Sequence, residues 1–123
     1  MNIVTFEQAK KLKKLGFDRE TSDIYWMDGD MEENYGRFDW NNQNDEDCIS
    51  APSASEALQW IRDNKGIYCG VGCGYDVDNE IYYHGHFFTD NPYFVCEDIY
   101  GNTYHQAESD LLDAVLTYLI EKI

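Results

Sequence analysis

Cys69, Cys73, His84 and His86 are the residue types of a zinc site, but their spacing argues against one. If residues 67–75 form a single strand, two cysteines four positions apart stand roughly 13 Å from each other at about 3.3 Å per residue. That is too far to share an ion held at about 2.3 Å per sulfur. Matching Cys69, Val71 and Cys73 to the apolar positions Ile81, Tyr83 and Phe87 needs an odd-length loop. His84 and His86 then fall on the other face, beside Gly70, Gly72 and Gly74. No metal ligand set is assigned, and no cofactor is expected. The glycines do not make a phosphate loop either. The dinucleotide fingerprint is G-x-G-x-x-G opening a helix, whereas position 75 is Tyr and strand-like residues follow. Glycine at every second position instead bares one strand face so that large neighbours can lie over it. Aromatics with carboxylates suit sugars or organic cations, which makes Tyr82, His84 and His86 candidate ligand contacts.

Other chemistry is weaker. Asp76-Val-Asp78-Asn79-Glu80 and Asp28-Gly-Asp30-Met-Glu32 are acidic turns that do not fit D-x-[DN]-x-[DN]-G with a glutamate at twelve. Hairpin turns recruit Asp, Asn and Gly on conformational grounds alone. No local signature surrounds any cysteine, and no carboxylate pair can be nominated by spacing. No catalytic residue is nominated; the expectation is a non-enzymatic module, with a small-ligand binder or minor enzyme on the glycine-bare face of Tyr82, His84 and His86 as the alternative.

Three segments share one device for positioning these side chains. Thr5-Phe-Glu-Gln8-Ala9, Ser53-Ala-Ser-Glu56-Ala57 and Thr103-Tyr-His-Gln106-Ala107 all read as capping boxes. Leu15-Gly16-Phe17 and Lys65-Gly66-Ile67 read as helix stops. The spacing predicts helices at 5–15, 53–65 and 104–122. The first buries Phe6, Ala9, Leu12 and Leu15 and turns its lysines to water; the second buries Ala54, Ala57, Leu58 and Ile61, with Trp60 on the flank. The third carries two apolar stripes. Tyr104, Ala107, Leu111, Ala114, Val115 and Tyr118 form one; Leu112, Leu116 and Ile120 form the other. Either the chain covers the second stripe itself, or a second copy does, so Leu112, Leu116 and Ile120 are candidates for self-association and the chain is a monomer or a homodimer. Strands are predicted at Ile24–Met27 with a return near Asn34–Phe38, at Ile67–Tyr75 paired with Ile81–Phe88, and at Tyr93–Glu97. Residues 39–47 read as an acidic loop. The order α-β-β-α-β-β-(β)-α describes one α+β domain over residues 1–123, three helices packed on a small antiparallel sheet.

The chain has 123 residues, 24 acids and 9 bases, giving a formal charge of −15. An aromatic share of 15% excludes a disordered polyelectrolyte, and the excess of acids disfavours direct nucleic-acid binding, the cluster Lys10, Lys11, Lys13 and Lys14 being read as a solvated face near a helix C-terminus. No run reaches the eighteen or more apolar residues of a membrane span, and the N-terminus turns polar by residue 5, so no membrane association is expected and the setting is read as cytoplasmic, with its four cysteines as thiols. The charge concentrates in residues 18–47, where eleven acids face Arg19 and Arg37. Trp26, Asp28, Asp30, Tyr35, Phe38, Trp40, Asp45, Glu46 and Asp47 therefore form the candidate interaction surface: aromatic anchors in a charged field, suited to a basic protein partner. In its sharpest form this is a mimic of nucleic acid that occupies a basic site.

The stretch Ser50-Ala-Pro-Ser-Ala-Ser-Glu-Ala-Leu-Gln-Trp-Ile-Arg-Asp-Asn-Lys-Gly-Ile67 resembles a group of short, uncharacterised bacterial and phage proteins whose middle helix opens Ser-Ala-Pro-Thr and carries Trp-Leu-Arg. Thr5–Asp18 and Thr103–Ile123 are similar to their outer helices, and the three stretches cover 53 of the 123 residues. The resemblance implies a small α+β protein of mobile-element character and implies no activity. The acidic loop and the Cys/His content depart from the group.

Overall fold

Thr5 opens the first helix by the expected exchange. Its hydroxyl accepts from the Gln8 N–H at 3.1 Å, and the Gln8 side-chain oxygen accepts from the Thr5 N–H at 2.9 Å. Helix α1 (Phe6–Lys14) stops at Gly16, whose φ of 95° lets the Gly16 N–H reach Lys13 O and the Phe17 N–H reach Leu12 O. Phe17 then folds back into the core. The computed structural model describes residues 2–21, 24–27, 29–33, 39–42, 48–89 and 99–123.

Strands β1 (Ile24–Met27) and β2 (Asp30–Glu33) are antiparallel, with Met27 opposite Asp30. The return strand thus starts at once rather than near residue 34, because a two-residue connection with Gly29 at φ 88° suits the twist of a hairpin. The stretches 34–38 and 43–47 lie outside the described residues. A 3₁₀ turn at Trp40–Asn42 occupies part of the expected loop, and a short β3 (Cys48–Ser50) follows that loop. Asn41 fastens them: its side chain donates to Phe17 O at 3.0 Å and accepts from the Ser50 N–H at 2.9 Å.

Helix α2 (Ala54–Lys65) carries the second complete capping box, on Ser53 and Glu56, and ends at left-handed Gly66. Trp60 is not on its flank but in the core, edge-on to Phe17 at 5.3 Å with its indole N–H on Asp18 at 3.1 Å. Strands β4 (Tyr68–Tyr75) and β5 (Ile81–Phe88) form a hairpin across a five-residue connection, and β6 (Ile99–Gly101) pairs with the far edge of β5. The strand expected at residues 93–97 lies outside the described residues. Helix α3 (Tyr104–Glu121) starts at Thr103, whose hydroxyl accepts from the Gln106 N–H. Here only this half of the box is made, and the Gln106 side-chain NH2 donates to Asp110 at 2.9 Å.

The α+β class holds, and among the described residues the strands divide into two three-stranded antiparallel sheets, β2-β1-β3 and β4-β5-β6. Helix α3 joins the layers. Its first stripe lies on the second sheet: Leu111 is against Gly85, Ala107 against Gly101, and Tyr118 is 5.8 Å from Phe87. Its second stripe meets α1 and α2. Leu112 and Leu116 are 0% exposed and Ile120 is half-buried. The stripe is therefore covered within the chain, and Leu112 and Leu116 have no surface left for self-association. Gln8 locks the same junction, its amide donating to Ser109 O and to Asp113.

Candidate functional site

The second sheet has one face on α3 and one face in water. Strand alternation puts Cys69, Val71, Cys73, Tyr83, Gly85 and Phe87 on the inner side. The outer side pairs Gly74 with Tyr82, Gly72 with His84, Gly70 with His86 and Tyr68 with Phe88, while β6 sets Tyr100 opposite His84. These are the faces that the odd-length loop requires. Cys69 and Cys73 therefore face away from His84 and His86, and the four cannot meet at one ion. The acidic turn at 76–80 serves the hairpin. Asp76 accepts from the Asp78 and Glu80 N–H groups at 2.8 and 3.0 Å, and Asn79 takes φ 60°.

Above the glycines the rings form a continuous row. Successive ring centres along β5 are 5.9 Å from Tyr82 to His84, 5.7 Å to His86 and 5.5 Å to Phe88. Tyr100 lies beside them, 5.8 Å from Tyr82 and 6.5 Å from His84. A Cβ on Gly72 would stand 3.0 Å from His84 Nε2, and one on Gly74 would stand 3.0 Å from the Tyr82 hydroxyl. The glycines thus let both rings lean onto the neighbouring strand. Tyr68, Phe88 and Tyr100 remain 66%, 53% and 63% exposed, so three large rings of this face meet solvent.

Where β6 ends, its corner with α3 opens into a cleft of about 460 Å³ lined by Tyr82, Tyr100, Gly101, Asn102, Gln106 and Asp110. A smaller cavity of about 80 Å³ lies between α2, α3 and β4. Its polar wall is structural: buried Glu108 accepts from Ser55 at 2.7 Å and Asn2 at 3.1 Å, and Arg62 donates to Cys69 O. Burial, and then the Glu108 carboxylate, push the Tyr104 hydroxyl above its usual pKa. Burial likewise lifts the Cys69 thiol, against a weaker opposing pull from Arg62.

The structure brings Tyr82, His84 and His86 together as the sequence predicts. The acidic hairpin fares differently. Trp40, expected as an interface anchor, is 8% exposed and stacked on Tyr25 at 4.2 Å; Trp26 is half-buried against Phe6 at 5.6 Å. Both rings serve packing: the 3₁₀ turn lays Trp40 on Tyr25 of β1, and Trp26 meets Phe6 of α1. Asp30 is exposed. Asp28, Tyr35, Phe38, Asp45, Glu46 and Asp47 lie outside the described residues.

Sequence reasoning missed Tyr100 and the cleft residues Asn102, Gln106 and Asp110. One signal for them was present: from Gly66 through Glu121 the chain has ten acids and no Lys or Arg. The strand-and-helix unit that carries the ring row is therefore the more one-sided in charge. No helix among the described residues is long and apolar enough to cross a membrane. No protein-family model, curated protein or solved structure matches the chain.

Proposed function

We propose that this chain is a non-enzymatic accessory module, of phage or mobile-element type, that binds a basic protein surface through the outer face of β4-β5-β6. The observation that carries this reading is the row Tyr82, His84, His86 and Phe88 with Tyr100, half-buried along Tyr82, His84 and His86 and exposed at Phe88 and Tyr100, in a stretch that has ten acids and no Lys or Arg. The acids steer a positively charged partner and set its orientation. The rings supply contact area at small entropic cost and attract Lys or Arg through their faces. Asp30 and the rest of the first hairpin add to the field without acting as anchors.

Fluorescence anisotropy with a labelled Lys/Arg-rich peptide tests the reading. Saturable binding is expected, with a loss of about tenfold or more when Tyr82, Phe88 and Tyr100 are all changed to Ser, a substitution that keeps the formal charge. If the triple variant binds as well as the parent, the contact is diffuse electrostatics and the ring face is not the site.

A further inference from the structure

The cleft at the end of β6 combines two things that the rest of the ring row lacks: a carboxylate held in place and a corner between two tyrosines. Tyr82 and Tyr100 meet at 5.8 Å with their planes 52° apart, so the corner is open rather than filled by ring stacking. Asp110 is half-buried and is fixed by the Gln106 amide at 2.9 Å. The Gln106 side-chain NH2 thus orients the Asp110 carboxylate on the cleft wall. Asn102 adds an exposed amide at the mouth.

The geometry points to this corner as the receptor for a single arginine side chain of the basic partner, an assignment that rests on the binding-module reading above and sharpens it. A guanidinium plane can lie on the Tyr100 ring while its N–H fork meets the Asp110 carboxylate, two contacts that one planar cation makes together. An ammonium is more strongly hydrated and offers no plane to stack, so lysine fits less well. The start of α3 opposes a cation with about half a positive charge, but the full charge of Asp110 outweighs it. A negatively charged occupant would face the Asp110 carboxylate, and the stretch from Gly66 through Glu121 supplies no Lys or Arg to offset it.

Titration of ¹⁵N-labelled protein with N-acetyl-arginine methylamide, and separately with the corresponding lysine and citrulline compounds, tests the assignment. Citrulline has the shape of arginine without the charge. Saturable shifts at the Gly101, Asn102 and Gln106 amides are expected with arginine, with lysine weaker and citrulline about tenfold weaker still or undetectable. Asp110→Asn should weaken arginine binding about tenfold, and Tyr100→Ala about threefold, with the spectra otherwise those of the folded parent. Citrulline binding as well as arginine, an Asp110→Asn variant with unchanged affinity, or shifts that bypass these amides would each overturn the arginine receptor. If arginine fails while the basic peptide still binds through the rings, only the receptor is lost; if the peptide fails as well, the module reading goes with it.

Discussion

Gly85 marks the place where the second sheet and α3 come too close for any side chain. A Cβ there would sit 2.8 Å from Leu111 Cβ, and Leu111 is fully buried and cannot retreat. Gly85→Ala should therefore cost about 1–3 kcal/mol in denaturant unfolding. Gly70→Ala, with nothing within 4 Å, should be neutral or slightly stabilising. Equal effects at the two positions would contradict the packing described. The cysteines make a second residue-scale contrast. Cys73 is exposed, whereas Cys48 and Cys69 are buried. Brief alkylation of the native protein, read by peptide mass mapping, should label Cys73 well before the other two. Burial raises the folded-state pKa of Cys69 above its ordinary value of 9.0. Its contribution to stability is thus whole below that pH and is lost as pH rises through the folded-state value, since the unfolded thiol ionises first. Cys69→Ala should lower stability at neutral pH and flatten the alkaline part of the stability curve; an unchanged alkaline slope would remove Cys69 as its source.

Helix α3 gathers most of the element-scale consequences. Because its second stripe is covered by α1 and α2, Leu112→Ala should cost about 2–5 kcal/mol, the range for a buried Leu. The loss in Tm should be the same at every protein concentration. A loss that shrinks at high concentration would mean that a second copy shares the stripe. The helices were the most legible elements, since caps and stops act within a few residues: Thr5 with Gln8, Ser53 with Glu56, Gly16 and Gly66. The face that each β4 and β5 residue takes was legible too, because a period of two with an odd-length loop sets Cys69, Val71 and Cys73 against the apolar positions of β5; the register itself was left open. Strands β3 and β6 were not, being three residues long and held by pairing with distant partners. Trp40 misled for the same reason: its burial depends on its stacking on Tyr25 of β1 rather than on its acidic neighbours. The cleft escaped notice because Tyr82, Tyr100 and Asp110 are brought together only when β5, β6 and α3 have all formed.

Across the whole molecule, charge is divided rather than spread. The basic residues lie between Lys10 and Lys65, apart from Lys122, and several are engaged locally: Arg19 with Asp63 at 2.6 Å, Lys10 with Glu7 at 2.8 Å, Lys13 on Cys48 O at 3.2 Å. The unit from β4 through α3 keeps its acids without neighbouring cations in the sequence. Affinity for a basic peptide should therefore fall steeply between about 50 mM and about 300 mM salt, as exposed charges are screened. Asp78→Asn with Glu80→Gln, both at the exposed hairpin tip, should slow association more than they speed dissociation. The most direct test of the account is an amide chemical-shift map of the protein saturated with a Lys/Arg-rich peptide. Shifts concentrated on β4, β5, β6 and the first turns of α3, and lost together in the Tyr82, Phe88 and Tyr100 variant, are the predicted result. Shifts confined to β1 and β2, with the second sheet silent, would contradict it.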